Sequence, residues 1–248
     1  MIKRGAQIEV EITGFAFGGK GIAKIQTEDG EFVVFVQNTF PGQKVLAKVA
    51  KKKKRWAECS LIKVLEKSPQ EIENSYQPIS GAPYANLPIE IQEKYKKESC
   101  LDLYKRIGGI ENIDEIYEGY ISSPLVWNYR NKMEYSFSCI EHDIHTDEEI
   151  DDAFALGFKH RGTWWKVENL AKESGLFDIE WETKLNDLTQ FLKATGLPAW
   201  HPPKKEGFFR HFVVRKSFHQ DQILINLVTS SQGIEDFDAI AVKDFILG

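Results

Sequence analysis

The side chains in this sequence whose types and spacing best indicate a binding function are positively charged, and they would bind anions. The densest set is a run of five cations between two β-like segments: Lys51, Lys52, Lys53, Lys54 and Arg55. A run of this kind is usually only solvated. On a small, positively charged β-barrel, however, it can follow the phosphate backbone of a nucleic acid, and we predict Lys20 near the same surface.

A second set of cations lies in an apolar strand near the end of the chain. Residues 207–230 predict two strands joined by a polar turn. Because side chains alternate along a strand, one face should carry Arg210, Phe212, Val214 and Lys216, and the other His211, Val213 and Arg215. A long cation is rarely buried alone. Arg210 and Arg215 should therefore border something anionic or lie near a rim, and salt bridges within the chain are the simpler alternative.

Arg130 and Lys132 form a third set, within residues 127–139, which have strand character. Alternation along a strand would place both cations on one face. A strand with two solvated cations is the simpler interpretation of this pattern.

The sequence predicts neither a catalytic group nor a metal site. Cys59, Cys100 and Cys139 are scattered without a CxxC spacing, so we expect no disulfide framework and no zinc site. The acidic run 141–152 could be written as a metal cluster of His142, Asp143, His145 and Asp147. No helical i,i+4 spacing supports that interpretation, and an exposed acidic hairpin loop is predicted instead.

Charge is distributed unevenly over the 248 residues. Residues 1–67 hold 13 Lys and Arg against 7 Asp and Glu, a net charge of +6, and the remainder holds 19 against 30, a net charge of −11. The first part is therefore a candidate anion-binding module on an acidic body. No apolar run approaches membrane-spanning length and the N-terminus lacks a secretory apolar core, so we expect a cytoplasmic protein without membrane association.

The pattern predicts an all-β barrel of the oligonucleotide-binding (OB) type, followed by an α+β domain. In residues 1–67, five short strands are expected at 7–12, 21–25, 31–36, 44–50 and 56–64. A proline-containing linker is expected at 68–86. Residues 87–248 predict a mainly antiparallel sheet with strands that include 118–122 and 127–139. They also predict two main helices, one from Pro88 to about Gly108 and one over 178–195.

Several short motifs lie along the first 67 residues: Gly5-x-x-Ile8-x-Val10, Gly19-Lys20-Gly21-Ile22-Ala23, Val34-Phe35-Val36, Pro41-Gly42-x-x-Val45 and the basic hairpin. With these motifs, residues 1–67 resemble a TRAM domain, a small RNA-binding barrel found at the start of many RNA-modifying enzymes.

Four segments of the second part are distinctive: Tyr129-Arg130-Asn131-Lys132-Met133, Leu156-Gly157-Phe158, Arg210-His211-Phe212-Val213-Val214-Arg215 and Ile225-Asn226-Leu227-Val228-Thr229. In these segments the second part is similar to the central domain of RNA 5-methyluridine methyltransferases. The resemblance implies an enzyme that uses S-adenosylmethionine to methylate C5 of uridine in ribosomal or transfer RNA. It also makes Arg130, Lys132, Arg210 and Arg215 candidates for RNA contact.

Two departures from the family limit what the resemblance implies. Many members hold an iron–sulfur cluster on four cysteines, but residues 76–84 and 169–172 contain none, so we expect no cluster here. Nothing after Ile234 has the form of the family's doubly wound domain, which holds the cofactor and the catalytic groups. We therefore expect that the chain stops before that domain, that it is inactive alone, and that none of its cysteines is the nucleophile.

Three hypotheses follow for function. The chain is the RNA-recognition portion of such a methyltransferase, or a stand-alone RNA-binding or ribosome-associated protein, or its barrel is a protein-interaction module. For the first, the expected partner is RNA with an exposed uridine, bound by a monomer.

Overall fold

The computed structural model describes residues 2–28, 30–144, 146 and 148–248, which form two compact units. The first unit runs from the N-terminus to Asn74 and from Pro83 to Pro124, and the second comprises Ser75–Ala82 and Leu125–Gly248. These units divide the chain differently from the predicted boundaries, because the first long helix belongs to the same unit as the N-terminal sheet. No helix among the described residues is both long and apolar enough to cross a membrane.

A six-stranded sheet forms most of the first unit. Its strands are β1 (Gln7–Glu11), β2 (Gly14–Ala16), β3 (Lys20–Thr27), β4 (Gly30–Val36), β5 (Lys44–Lys52) and β6 (Trp56–Glu66), in the order β1-β5-β6-β4-β3-β2. The two edge strands, β1 and β2, are almost continuous along the chain. Ile12 N donates to Gln43 O at 2.9 Å and Thr13 N to Ile22 O at 2.8 Å, which brings the edges together. This topology supports the predicted small barrel.

The interior of this sheet is filled by side chains that alternate between buried and outward-facing positions along the strands. Along β5, Val45, Ala47 and Val49 are buried while their neighbours face outward, and β4 and β6 continue the pattern. Five strands were predicted, and the short β2 was missed because three residues are too few to show a period of two.

Two helices complete the first unit, α1 (Ile89–Arg106) and α2 (Ile113–Ile116). Pro88 is the N-cap residue of α1, and the helix ends just before Gly108 and Gly109, as predicted. None of the residues of α1 is fully buried. The predicted strand at 118–122 was wrong: these residues have no regular structure and are all exposed, so no neighbouring strand holds them.

The second unit is built on a seven-stranded sheet. Its strands are β7 (Lys132–Ser138), β8 (Glu141–His142), β9 (Glu149–Ile150), β10 (Ala155–Lys159), β11 (Val167–Asn169), β12 (Phe209–Ser217) and β13 (Gln222–Thr229). The order is β13-β12-β7-β10-β11-β8-β9, and only the β8–β11 pair is parallel. The predicted acidic loop at 141–152 contains the small β8–β9 hairpin. Its His142 is buried, contrary to the exposed loop expected, while His145 and Asp147 lie outside the described residues.

Helix α3 (Ile179–Ala194) covers one face of this sheet, and α4 (Ala239–Leu247) lies further along the chain. Asp178 is the N-cap residue of α3, at the predicted start of the helix, and its carboxylate accepts from Trp181 N at 2.9 Å. Trp181 stacks on Phe212 with ring centroids 5.7 Å apart. The described residues form four α-helices rather than the two main helices predicted, since α2 and α4 are short and carry weak sequence signals.

A buried carboxylate joins α3 to the sheet. Glu182 is only 3% exposed and accepts from the Tyr135 hydroxyl at 3.0 Å, from Ser174 N at 2.7 Å and from Ser174 Oγ at 2.8 Å. Burial raises the pKa of Glu182, and these hydrogen bonds only partly offset that shift. Burial and the neighbouring carboxylate likewise raise the pKa of Tyr135.

Candidate nucleic-acid interface

The five-cation run lies at the tip of the β5–β6 hairpin, as predicted. Lys51 and Lys52 end β5, residues 53–55 form the turn, and all five side chains are exposed. Among the described residues, no carboxylate pairs with any of the four cations at 52–55. The tip therefore presents uncompensated positive charge to solvent, which is what an electrostatic contact to phosphate requires.

Aromatic rings back this cationic tip. Lys51 Nζ lies 5.7 Å from the centroid of the Trp56 ring, and Trp56 meets Phe35 edge to face with centroids 6.0 Å apart. Both rings point away from the sheet interior and are half-buried. Cations beside a partly exposed indole match the usual way of holding single-stranded nucleic acid, by phosphate attraction and base stacking. Trp56 was not predicted as part of this surface, although it directly follows the cation run.

Lys20 lies on the same outward surface of the sheet as the hairpin, as predicted. Its Nζ is 3.1 Å from Glu58 Oε1, and Glu58 stands opposite Lys51 in the β5–β6 register. About a third of the Lys20 side chain is exposed. Because Glu58 neutralises it, Lys20 contributes less to the local field than the hairpin cations do.

A cavity of about 250 Å³ opens beside the β2–β3 turn in the same unit. Its walls include Phe15, Tyr84 and Tyr95, whose rings meet edge to face at 5.0 and 5.1 Å, and Lys96 also lines it. The Tyr84 hydroxyl donates to Gly19 O, and a side chain at position 19 would collide with that ring. Aromatic walls with a cation nearby form a lining that suits a planar ring.

In the second unit, Arg215 and Lys132 face each other across strands β12 and β7. Arg215 is exposed, while Lys132 Nζ pairs with Glu134 Oε2 at 3.2 Å. Arg130 was predicted to share a strand face with Lys132, but β7 begins only at Lys132 and Arg130 precedes it. Arg130 is exposed, and its Nη1 lies 3.9 Å from Met133 Sδ.

Arg210 is not part of the cationic surface that includes Arg215, because strand β12 is irregular at Arg210. The pairing register shifts between Phe209 and His211, so Arg210 is the extra residue of a β-bulge. Its guanidinium lies 4.5 Å from the centroid of the Trp200 ring. Its Nε is buried and has no hydrogen-bond partner among the described residues. Arg210 is therefore held within the fold, and the predicted face shared with Phe212 and Lys216 was wrong at this residue.

His211 occupies the outward face between these cations. Its Nδ1 is 3.5 Å from Ser136 Oγ and 3.8 Å from Glu134 Oε1. Burial lowers the pKa of His211 more than Glu134 raises it. His211 is therefore neutral at neutral pH and adds no positive charge to this face. Lys216, by contrast, is ion-paired with Asp178 and Asp221, which raises its pKa.

The cysteines with resolved pKa shifts are not activated thiols. Burial raises the pKa of Cys59 to about 11 and also raises the pKa of Cys139. A nucleophilic cysteine needs a lowered pKa. Neither thiol is therefore suited to attack a pyrimidine ring.

The fold agrees with the comparisons to known proteins. Residues 2–62 match the model of the TRAM domain. The chain is 31% identical to an uncharacterized RNA methyltransferase of Clostridium tetani, over 93% of this chain and 48% of that protein. It is also 31% identical to an uncharacterized RNA methyltransferase of Caldanaerobacter subterraneus, over 95% of this chain and 49% of the relative.

Among solved structures, the chain resembles the Pyrococcus abyssi tRNA (uracil-54, C5)-methyltransferase in complex with S-adenosyl-L-homocysteine. The TM-score is 0.61 with 21% identity, over 93% of this chain and 49% of the enzyme, a likeness of fold. The chain thus carries a TRAM domain and is homologous to proteins named RNA methyltransferases, and it spans about half the length of the curated relatives it matches.

Proposed function

We propose that this chain is the RNA-recognition portion of an S-adenosylmethionine-dependent methyltransferase that modifies C5 of uridine in ribosomal or transfer RNA. The observation that carries the proposal is the exposed, unpaired cationic tip beside Trp56 within a TRAM domain. The names of the relatives support methyl transfer to RNA, and the Pyrococcus abyssi enzyme supports uracil C5 as the target.

The residues that the structure describes do not fit S-adenosylmethionine. A doubly wound cofactor site needs a parallel sheet and a glycine-rich turn that leads from a strand into a helix. Here each sheet contains a single parallel pair, and Gly18 and Gly19 lead into strand β3. We therefore assign no step of methyl transfer to these residues, and their proposed task is to bind and place the RNA.

In this proposal the RNA backbone follows the hairpin while an unpaired base stacks near Trp56. Binding releases the counterions condensed on the phosphates, so affinity falls as salt rises. The stacking contribution is about 1–3 kcal/mol per base and depends little on sequence. Recognition of this kind favours unfolded or looped RNA, in which bases are exposed.

The experiment replaces three hairpin cations by the combined changes Lys52→Gln, Lys53→Gln and Lys54→Gln. We expect weaker binding to single-stranded RNA of any sequence and a slope of log affinity against log salt that is smaller by about 2, since each lost phosphate contact removes about 0.7. Fluorescence anisotropy at several salt concentrations measures both quantities.

A matched control carries the same loss of charge on the helices of the second unit: Lys184→Gln, Lys193→Gln and Lys243→Gln. These lysines are exposed and belong to α3 and α4 of the second unit, not to the hairpin. The control should retain the wild-type slope. If the two triple variants lower the slope equally, binding depends on net charge alone and the hairpin is not the interface.

A further inference from the structure

Three side chains that are distant in sequence converge at one end of the seven-stranded sheet. His142 ends β8, His160 directly follows β10, and Glu168 is the middle residue of β11. One ligand atom from each, an imidazole nitrogen or a carboxylate oxygen, lies within 4.8 Å of the other two. The imidazole rings of the two histidines are 3.8 Å apart between centroids.

Strand register explains why these side chains meet. In the parallel β8–β11 pair Val167 stands opposite Glu141, so the next residues along, Glu168 and His142, are neighbours on one face. In the antiparallel β10–β11 pair Phe158 stands opposite Glu168, and His160, two residues beyond Phe158, returns to the same face. A hydrogen bond of 3.0 Å from His160 N to Lys166 O extends that pairing.

The carboxylate of Glu168 is buried and oriented. Glu168 is 1% exposed, its Oε2 accepts from Ser80 N at 2.9 Å, and its Oε1 lies 2.7 Å from His160 Nδ1. Ser80 is in turn fixed, since its Oγ accepts from Arg161 N at 2.7 Å. An oriented carboxylate with its second oxygen bonded to a backbone amide resembles the supported ligands of metal sites.

We propose that His142, His160 and Glu168 bind one divalent transition-metal ion, with Zn²⁺ as the ion of choice. Two imidazoles and one carboxylate are a known ligand set for zinc, and the imidazoles disfavour Mg²⁺ and Ca²⁺. The inference goes beyond the proposed RNA recognition and does not depend on it.

The dimensions allow an ion after small movements. Bonds of about 2.0–2.2 Å from a tetrahedral ion place its ligand atoms about 3.3–3.6 Å apart. Separations of up to 4.8 Å must therefore close by about 1.5 Å at most, and the 2.7 Å between Glu168 Oε1 and His160 Nδ1 must open by about 0.6–0.9 Å if these two atoms are the ligands. The His160 side chain is 23% exposed, which gives solvent a path to the fourth coordination position. The bound ion would link β8, β11 and the turn after β10, a structural role.

The test is titration of the metal-free 248-residue chain with Zn²⁺ by calorimetry, and with Co²⁺ by visible absorption, which reports tetrahedral coordination. We expect one ion per chain and a melting temperature that rises with Zn²⁺ but not with Mg²⁺. His160→Asn and Glu168→Gln should each weaken Zn²⁺ binding at least tenfold. Loss of a residue that only supports a metal ligand already costs about tenfold or more, and loss of a ligand should cost no less.

His219→Asn is the matched control, because His219 is exposed on the β12–β13 turn, away from the cluster. It should bind Zn²⁺ as the wild type does. If a cluster variant fails to fold, the Zn²⁺ titration and the melting temperature of the wild type test the proposal without it. The proposal is overturned if the wild type shows neither stoichiometric Zn²⁺ binding nor a zinc-specific rise in melting temperature, or if folded cluster variants bind Zn²⁺ unchanged. In those cases His160 and Glu168 form only a hydrogen-bonded pair.

Discussion

Two arginines five positions apart in one strand have different environments and should have different roles. Arg215 is exposed beside Lys132 on the outward face of the sheet, whereas Arg210 lies on the Trp200 ring with its Nε buried. The sequence predicted both as RNA contacts because it shows a cation but not the bulge that redirects it. The structure favours an anion-binding role for Arg215 and a structural one for Arg210.

We expect Arg210→Ala to lower the free energy of unfolding by about 1–2 kcal/mol, because it removes a partly buried cation–π contact and the packing of the side-chain stem. RNA affinity of the folded variant should stay near the wild-type value. Urea denaturation and anisotropy measure the two effects.

Arg215→Ala is the paired variant, with the opposite expectation. Its stability should change by less than about 0.5 kcal/mol, as is usual on the surface, while the salt slope of RNA binding falls by about 0.7. An RNA defect in Arg210→Ala without any loss of stability would reverse the two assignments.

At the scale of elements, α3 combines an apolar stripe with one buried acid. The stripe and the cap at Asp178 were predictable, since both are local patterns. Glu182 was not, because its partners Tyr135 and Ser174 come from other segments. This one carboxylate fixes the helix, strand β7 and the chain before the helix relative to each other.

Glu182→Ala should destabilise the second unit by about 1–3 kcal/mol, because it leaves buried donors on Tyr135 and Ser174 without an acceptor. Glu182→Gln should cost less, since an amide oxygen can still accept. Thermal or urea unfolding at neutral pH measures both losses, and equal stability of the two variants would contradict the role of the hydrogen bonds.

The same variants have an expected pH dependence. Because the pKa of Glu182 is raised in the folded state, protonation of Glu182 stabilises the folded protein; this protonation-linked stability is fully present below the usual value of 4.5 and is lost as pH rises through the folded pKa. The wild type should therefore lose stability relative to Glu182→Gln over that window. A constant difference between the two proteins across the window would show that the pKa is unshifted.

Local signals decided which elements the sequence could predict. The longer strands of the first sheet and both long helices show their period within one segment, and the hairpin tip follows from its charge. The cluster of His142, His160 and Glu168 could not be predicted, because it exists only through the pairing of β8, β10 and β11. Alternation also failed at Arg130, which precedes its strand, and at residues 118–122, which are not part of any strand of the described residues.

For the molecule as a whole, the distribution of charge along the chain matters more for RNA binding than the net charge does. A net charge of −5 should repel RNA, yet residues 1–67 carry +6 and expose their strongest cationic segment at a hairpin tip. Fields of this kind act over about a Debye length, roughly 8 Å at physiological salt. The tip can therefore attract RNA although the molecule as a whole is acidic.

We expect the 248-residue chain to bind RNA without binding S-adenosylmethionine or transferring a methyl group, since its described residues do not fit the cofactor. Calorimetric titration and transfer of labelled methyl to RNA test this, with the Pyrococcus abyssi enzyme as the positive control. Cofactor binding by the chain alone would show that a site was overlooked and would refute the division of tasks.

The bulge at Arg210 has a consequence for the evolution of this strand. With Arg210 as an extra residue, Phe209 and Phe212 are both buried although they stand three positions apart. Removing that one residue would leave a regular strand with both rings still inward. Related proteins can therefore gain or lose a residue here without rearranging the core, and sequence alignments should permit a single-residue gap at this point.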